Sequence, residues 1–183
     1  MKQYLNTFDI FNDLSENEIE LFTNHMKTIK YKKNDNIVIE GEEGNSLLFV
    51  LDGEIIITQA LTLATNKLDG GDNREKQITN LNSNDHKIML GEVALFSPDK
   101  KRNATVKAVV DCEVARLSFE NIFTTCNNNH SVGYKLMKNL SEIVTRHLID
   151  SNHKVLKLTT AFSLLIDHWS HEMTNVIVKY QYK

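Results

Sequence analysis

The chain has 183 residues, 41% of them hydrophobic, and a formal net charge of −3, which suffices for one packed domain plus an appendage. Its basic residues are scattered and the one cluster, Lys100-Lys101-Arg102, is too small for a duplex footprint, which weighs against a nucleic-acid partner, where affinity follows the number of phosphates neutralised. No apolar run approaches the ~20 residues a membrane helix needs, and the N-terminal MKQYLNTFDIFND has no apolar signal core.

In chain order, Ser15-Glu16-Asn17-Glu18 has the pattern of a capping box, and Ile19, Leu21, Phe22 and Met26 behind it predict an amphipathic N-terminal helix. Strands are expected at 28–31, 37–39, 47–51, 55–59, 77–81, 87–90, 105–109 and 113–117. Asn34 precedes the second of these, and Asn is the non-Gly residue that best tolerates a left-handed turn. The run NIVIEGEEGNSLLFVLDGEIII (36–57) is cut at Gly41, Gly44 and Gly53, so its strands are joined by tight turns. Short strands at regular spacing predict a mainly β fold with flanking helices, a double-stranded β-helix or jelly-roll barrel. Residues 61–76, LTLATNKLDGGDNREK, carry Gly70-Gly71 among acidic residues and predict a hairpin with an enlarged tip. Two cysteines are too few for a disulfide framework. Both are expected as free thiols in a reducing cytoplasm, Cys112 inert in a strand and Cys126 the more accessible.

The densest chemistry lies in 90–106, LGEVALFSPDKKRNATV. Gly91 lets backbone N–H groups approach a ligand closely, and Glu92 can accept from sugar hydroxyls. Val93-Ala94-Leu95-Phe96 can start a short helix whose first amides favour an anion. Arg102 can fork onto two phosphate oxygens at once. Lys101 stands beside it as a competitor for the same phosphate, and the plain alternative is a surface turn with a solvated Lys100-Lys101-Arg102 run.

With the glycine spacing of 36–57 and the alternating runs ATVKAV (104–109) and CEVARL (112–117), this segment resembles the phosphate-binding cassette of the cyclic-nucleotide-binding domain. That family includes catabolite activator proteins, kinase regulatory subunits and cyclic-nucleotide-gated channels, and the resemblance runs over 11–148. It implies a ligand site at Gly91, Glu92, Val93, Ala94, Arg102, Asn103 and Ala104, with Glu92 on the ribose hydroxyl and Arg102 on the cyclic phosphate. cAMP is the expected ligand and cGMP the alternative. Three departures stand out: Asn34-Asp35 where members carry Gly-Asp or Gly-Glu, a 91–102 loop one residue longer than in many members, and Asn103 where many have Ala, Ser or Thr.

Past Asn129 the period becomes helical. Val144, Leu148, Ser151, Val155, Leu158, Phe162, Leu165 and Trp169 follow a three-four alternation, the pattern of a coiled-coil seam. The expected partner is a second copy of the chain, and packing back on the same domain is the alternative. By the family resemblance the helix dimerises, and Ser151 and Asn152 reach the purine. The organisation expected is a cyclic-nucleotide-binding jelly roll at 1–126 and a helical dimerisation segment at 127–183. Residues 174–183 are too few for the helix pair of a groove-reading output domain, so the chain is expected to be a sensor module without its own output domain, acting on a downstream protein partner that the sequence does not name.

Two other classes are open. A cupin-like metal enzyme needs several His with a carboxylate at ligand spacing on the strands. His86 is alone there, while His168, His171 and Glu172 form one helical turn that more often is a solvated face. No catalytic constellation stands out, so the chain is not expected to be an enzyme. The second alternative is a jelly-roll scaffold whose pocket holds no nucleotide, favoured by the longer loop and Asn103 and opposed by Glu92 and Arg102.

Overall fold

Eight strands form along the period-two runs: β1 (Lys27–Tyr31), β2 (Asn36–Val38), β3 (Ser46–Asp52), β4 (Glu54–Ala60), β5 (Glu75–Asn82), β6 (Met89–Leu90), β7 (Thr105–Ala108) and β8 (Cys112–Ser118). The computed structural model describes residues 5–60 and 75–181. The strands pair antiparallel in two four-stranded sheets, ordered β1-β8-β3-β6 and β2-β7-β4-β5, the double-sheet arrangement of a jelly roll. Among the described residues no strand joins one sheet to the other, so the fold is a two-sheet sandwich rather than a closed barrel. The chain packs as two compact units, Met1–Ser141 and Glu142–Lys183.

Helices flank the sandwich in sequence: a 3-10 turn (Asp9–Phe11), α1 (Glu16–Thr23), α2 (Glu92–Phe96), α3 (Phe119–Asn128) and α4 (His130–Gln181). Helical periodicity therefore begins at Phe119, earlier than the Asn129 expected from sequence. Ser118 caps α3 by accepting the Asn121 N–H at 3.2 Å, and Phe119, Ile122, Thr125 and Cys126 form its buried face. Cys126 is consequently buried like Cys112, not the accessible thiol expected from the polar residues after it. Burial pushes both thiols above the ordinary cysteine range.

β3 organises the core because both of its faces are covered. Alternate side chains of a strand point to opposite faces. Leu48 and Val50 enter the cluster between the sheets with Ile37, Ile55, Ile88, Val106, Ala108, Cys112 and Val114. Phe49 points the other way, meeting Phe8 edge-on at 5.2 Å and stacking on Phe11 at 5.8 Å. Left-handed Asn34, at φ +74°, carries the turn before β2 as its residue type predicts. The β4–β5 hairpin pairs from Glu54 opposite Asn82 to Ala60 opposite Glu75. Glu75 and Lys76 therefore belong to β5 rather than to the tip, and 61–74 lie outside the described residues.

The N-terminal segment is tied to the start of α4. Asn139 donates from Nδ2 to the carbonyls of Ile10 at 3.0 Å and Asn12 at 2.6 Å. Ser15 and Glu18 form the expected capping box, the Ser15 N–H donating to Glu18 Oε2 at 2.7 Å. Glu18 also accepts from Lys135 Nζ at 2.9 Å. The Lys135 hydrogen bond, with those from Ser15, lowers the Glu18 pKa from 4.5 to about 2. A carboxylate with a depressed folded pKa contributes stability that is present above its unfolded pKa and lost as pH falls toward the folded one. Glu18→Gln keeps the capping-box reach and removes the charge. Its melting temperature should lie below that of the unaltered protein above pH 4.5, and the gap should close toward pH 2, as thermal melts across that range would show.

Candidate functional site

The cassette is built on a left-handed glycine. Gly91 has φ +99° and caps α2; a Cβ there would strike the Arg102 Nη1 and lie 2.7 Å from the Ser46 carbonyl oxygen. No other residue type fits both the dihedral and the space. The first α2 hydrogen bond runs from the Leu95 N–H to the Gly91 carbonyl at 3.1 Å. The amides that open an α-helix have no partner within it. Glu92 is only 9% exposed and Ala94 is buried, whereas Val93 is exposed.

Arg102 faces this turn. Its backbone is held by the 41–44 turn: Arg102 N–H donates to Glu42 O at 2.8 Å and Gly41 N–H donates to Arg102 O at 2.8 Å. A Cβ on Gly44 would lie 3.0 Å from Arg102 Nε and 2.8 Å from the Ala94 Cβ, so that glycine clears room for the guanidinium stem. The residue is 8% exposed. Nη2 donates to the Ser46 carbonyl at 3.0 Å, while Nη1 is buried without a hydrogen-bond partner. Burial and the nearby Arg116 guanidinium pull the Arg102 pKa below its ordinary value, with the Glu92 carboxylate opposing them. A buried guanidinium nitrogen with no acceptor is costly.

Lys101, by contrast, is exposed, and its backbone forms an isolated bridge with Glu43. The loop leading to it is folded by Asp99, whose carboxylate accepts from the Ser97 hydroxyl and from the Lys101 N–H at 3.3 Å. Those bonds hold the Asp99 carboxyl below its usual range. Asn103 is exposed and Ala104 half-buried; the Asn103 carbonyl accepts from Gln59 Nε2 at 3.1 Å. A cleft of about 180 Å³ runs along Arg102, with Arg116, Tyr31, Val38, Glu43 and Ser46 among its lining residues. Ser151 and Asn152 are exposed on α4 in the second unit. Among the described residues no group of three His, Cys, Asp or Glu side chains could hold a metal ion. His86 and His168 are exposed; the side chains of His171 and Glu172 lie outside the described ones. No helix of the described residues is long and apolar enough to cross a membrane.

A family model for the cyclic nucleotide-binding domain matches residues 28–129. The chain belongs to that family. The cAMP-activated global transcriptional regulator CRP of Salmonella typhimurium is 26% identical over 137 residues, which cover 75% of this chain and 58% of that regulator. The chain thus spans little more than half the length of that relative. A cyclic nucleotide-binding domain from Methylobacillus flagellatus superposes with a TM-score of 0.68 at 19% identity, over 84% of this chain and 79% of that one. The Thermus thermophilus catabolite activator protein gives 0.67 at 19% identity, over 83% and 63%.

Within the cyclic nucleotide-binding domain the structure brings Gly91, Glu92, Ala94 and Arg102 into one turn-and-cradle. Three further residues that sequence reasoning did not name as candidates lie around Arg102. Gly44 is legible only as a turn glycine, although its role is a close approach to Arg102. Ser46 and Arg116 meet Arg102 through strand pairing, with Leu48 opposite Arg116 in the β3–β8 register. No local spacing signals them.

Proposed function

We propose that this domain binds cAMP and regulates a partner as a cytoplasmic homodimer, with 1–126 as the ligand-binding jelly roll and 127–183 as the dimerisation segment. Arg102 holds the cyclic phosphate, Glu92 accepts from the ribose hydroxyl, and Gly91, Val93, Ala94, Asn103 and Ala104 complete the cassette. The observation that carries this reading is the buried, unpartnered Arg102 Nη1 beside Gly91: a preformed positive group aimed at a turn whose backbone can receive an anion. The preference for cAMP over cGMP rests on the relatives, which are named as cAMP-activated. The assignment of Ser151 and Asn152 to the purine rests on the family alone.

Calorimetric titration with cAMP, cGMP and a cyclic dinucleotide tests this reading. Saturable binding, tightest for cAMP, is expected, and no binding of any of the three would leave a ligand-free scaffold. The role of Glu92 has its own test. Glu92→Ala should weaken cAMP about tenfold or more, the worth of a hydrogen bond to a charged group. It should change binding of the 2′-deoxy analogue little, because that hydrogen bond is already missing there. Equal losses for both ligands would remove Glu92 from the ribose.

A further inference from the structure

Arg116 continues the inward face of β8. Cys112 and Val114 enter the cluster between the sheets, and two residues on, the same face of the strand carries a guanidinium. It is half-buried, and it makes two directed bonds, from Nε to Ser46 Oγ at 3.1 Å and from Nη2 to Asn45 Oδ1 at 2.6 Å. Ser46 is 1% exposed and is the residue that takes Arg102 Nη2 on its carbonyl at 3.0 Å. Two guanidinium groups therefore converge on one buried serine. We infer that Arg116 is a positioning residue for the phosphate-binding arginine: by fixing Asn45 and Ser46 it pins one nitrogen of Arg102 and leaves the other facing Gly91.

The electrostatics point the same way. Burial first and the Arg116 charge second pull the Arg102 pKa below its ordinary value, while the Glu92 carboxylate favours the cation, so Arg102 feels Arg116 directly. Glu42 and Glu43 line the same cleft. Substitution by Lys is not conservative here, since one ammonium cannot reproduce two bonds made from one rigid plane.

This inference rests on the cAMP reading above, and the test separates the two. cAMP is titrated into the unaltered protein, Arg116→Gln, Arg116→Lys, Arg102→Ala and the Arg116→Gln/Arg102→Ala double variant, each checked by thermal melting for a folded state. Arg116→Gln should weaken cAMP about three- to tenfold, and Arg116→Lys should also bind more weakly than the unaltered protein. In the Arg102→Ala background Arg116→Gln should cost nothing further, because a residue acting through Arg102 has nothing left to position. An equal loss in both backgrounds, or unchanged affinity in Arg116→Gln or Arg116→Lys, overturns the positioning role alone. Absence of cAMP binding by the unaltered protein overturns the reading of the site and this role with it.

Discussion

Arg102→Ala is expected to weaken cAMP binding roughly ten- to a hundredfold or more. A charge-assisted hydrogen bond is worth ~1.5–3 kcal/mol, and each ~1.4 kcal/mol is a factor of ten in affinity. The upper part of that range applies because Arg102 is buried before the ligand arrives, at 8% exposure. Its free nitrogen has no protein acceptor to release. Lys101→Ala should have a much smaller effect, since the exposed Lys101 ammonium keeps its water and would have to give it up on binding. Calorimetry on both variants decides between them. Thermal melts offer a second readout, because a ligand that binds only the folded state raises stability by an amount set by its concentration relative to Kd. At a fixed cAMP concentration the ligand-induced rise in Tm should shrink for Arg102→Ala and persist for Lys101→Ala. A larger loss in Lys101→Ala would mean that the longer loop has shifted the phosphate by one residue.

All eight strands lie where alternation and glycine punctuation place them, because a strand buried on one or both faces writes its period into the chain. β6 is the weakest match: it is expected over 87–90 and forms over Met89–Leu90, although Ile88 still accepts the Val50 N–H at 3.0 Å. That Gly91, Glu92 and Arg102 come together is legible because they belong to one local segment whose residue types are fixed by backbone space and charge. Ser46 and Arg116 were not, being 70 positions apart in sequence and joined only by the β3–β8 register. α3 was missed although Ser118 and the apolar residues Phe119, Ile122 and Cys126 carry a cap and a helical spacing; the asparagines at its end masked the pattern. Cys126 was misplaced for the same reason. The polar Asn127-Asn128-Asn129 stretch closes a helix whose inner face is buried, so polarity next in sequence said nothing about exposure.

Leu158→Asp should convert the proposed dimer to a monomer. Along α4, Leu148, Val155, Leu158, Phe162, Leu165 and Trp169 are between 57% and 69% exposed, and they follow the three-four spacing that lets one helix seat its side chains between those of another. Burying each would gain ~1.5–3 kcal/mol, and a second copy pairing in parallel covers the whole row at once. A carboxylate at the middle of that row would be buried without a partner, which is far more costly than the loss of one leucine. Ile149, Leu156, Leu164 and Ile166 are also exposed but fall outside the spacing, so they supply the control. Leu164→Asp should leave the dimer intact, as should Ser151→Ala, which removes the one polar residue of the series. Sedimentation of the three variants reads the result directly. If Leu158→Asp stays dimeric, the copies are held by another surface. If Leu164→Asp dissociates as readily as Leu158→Asp, the pairing depends on general apolar exposure of α4 and not on the seam.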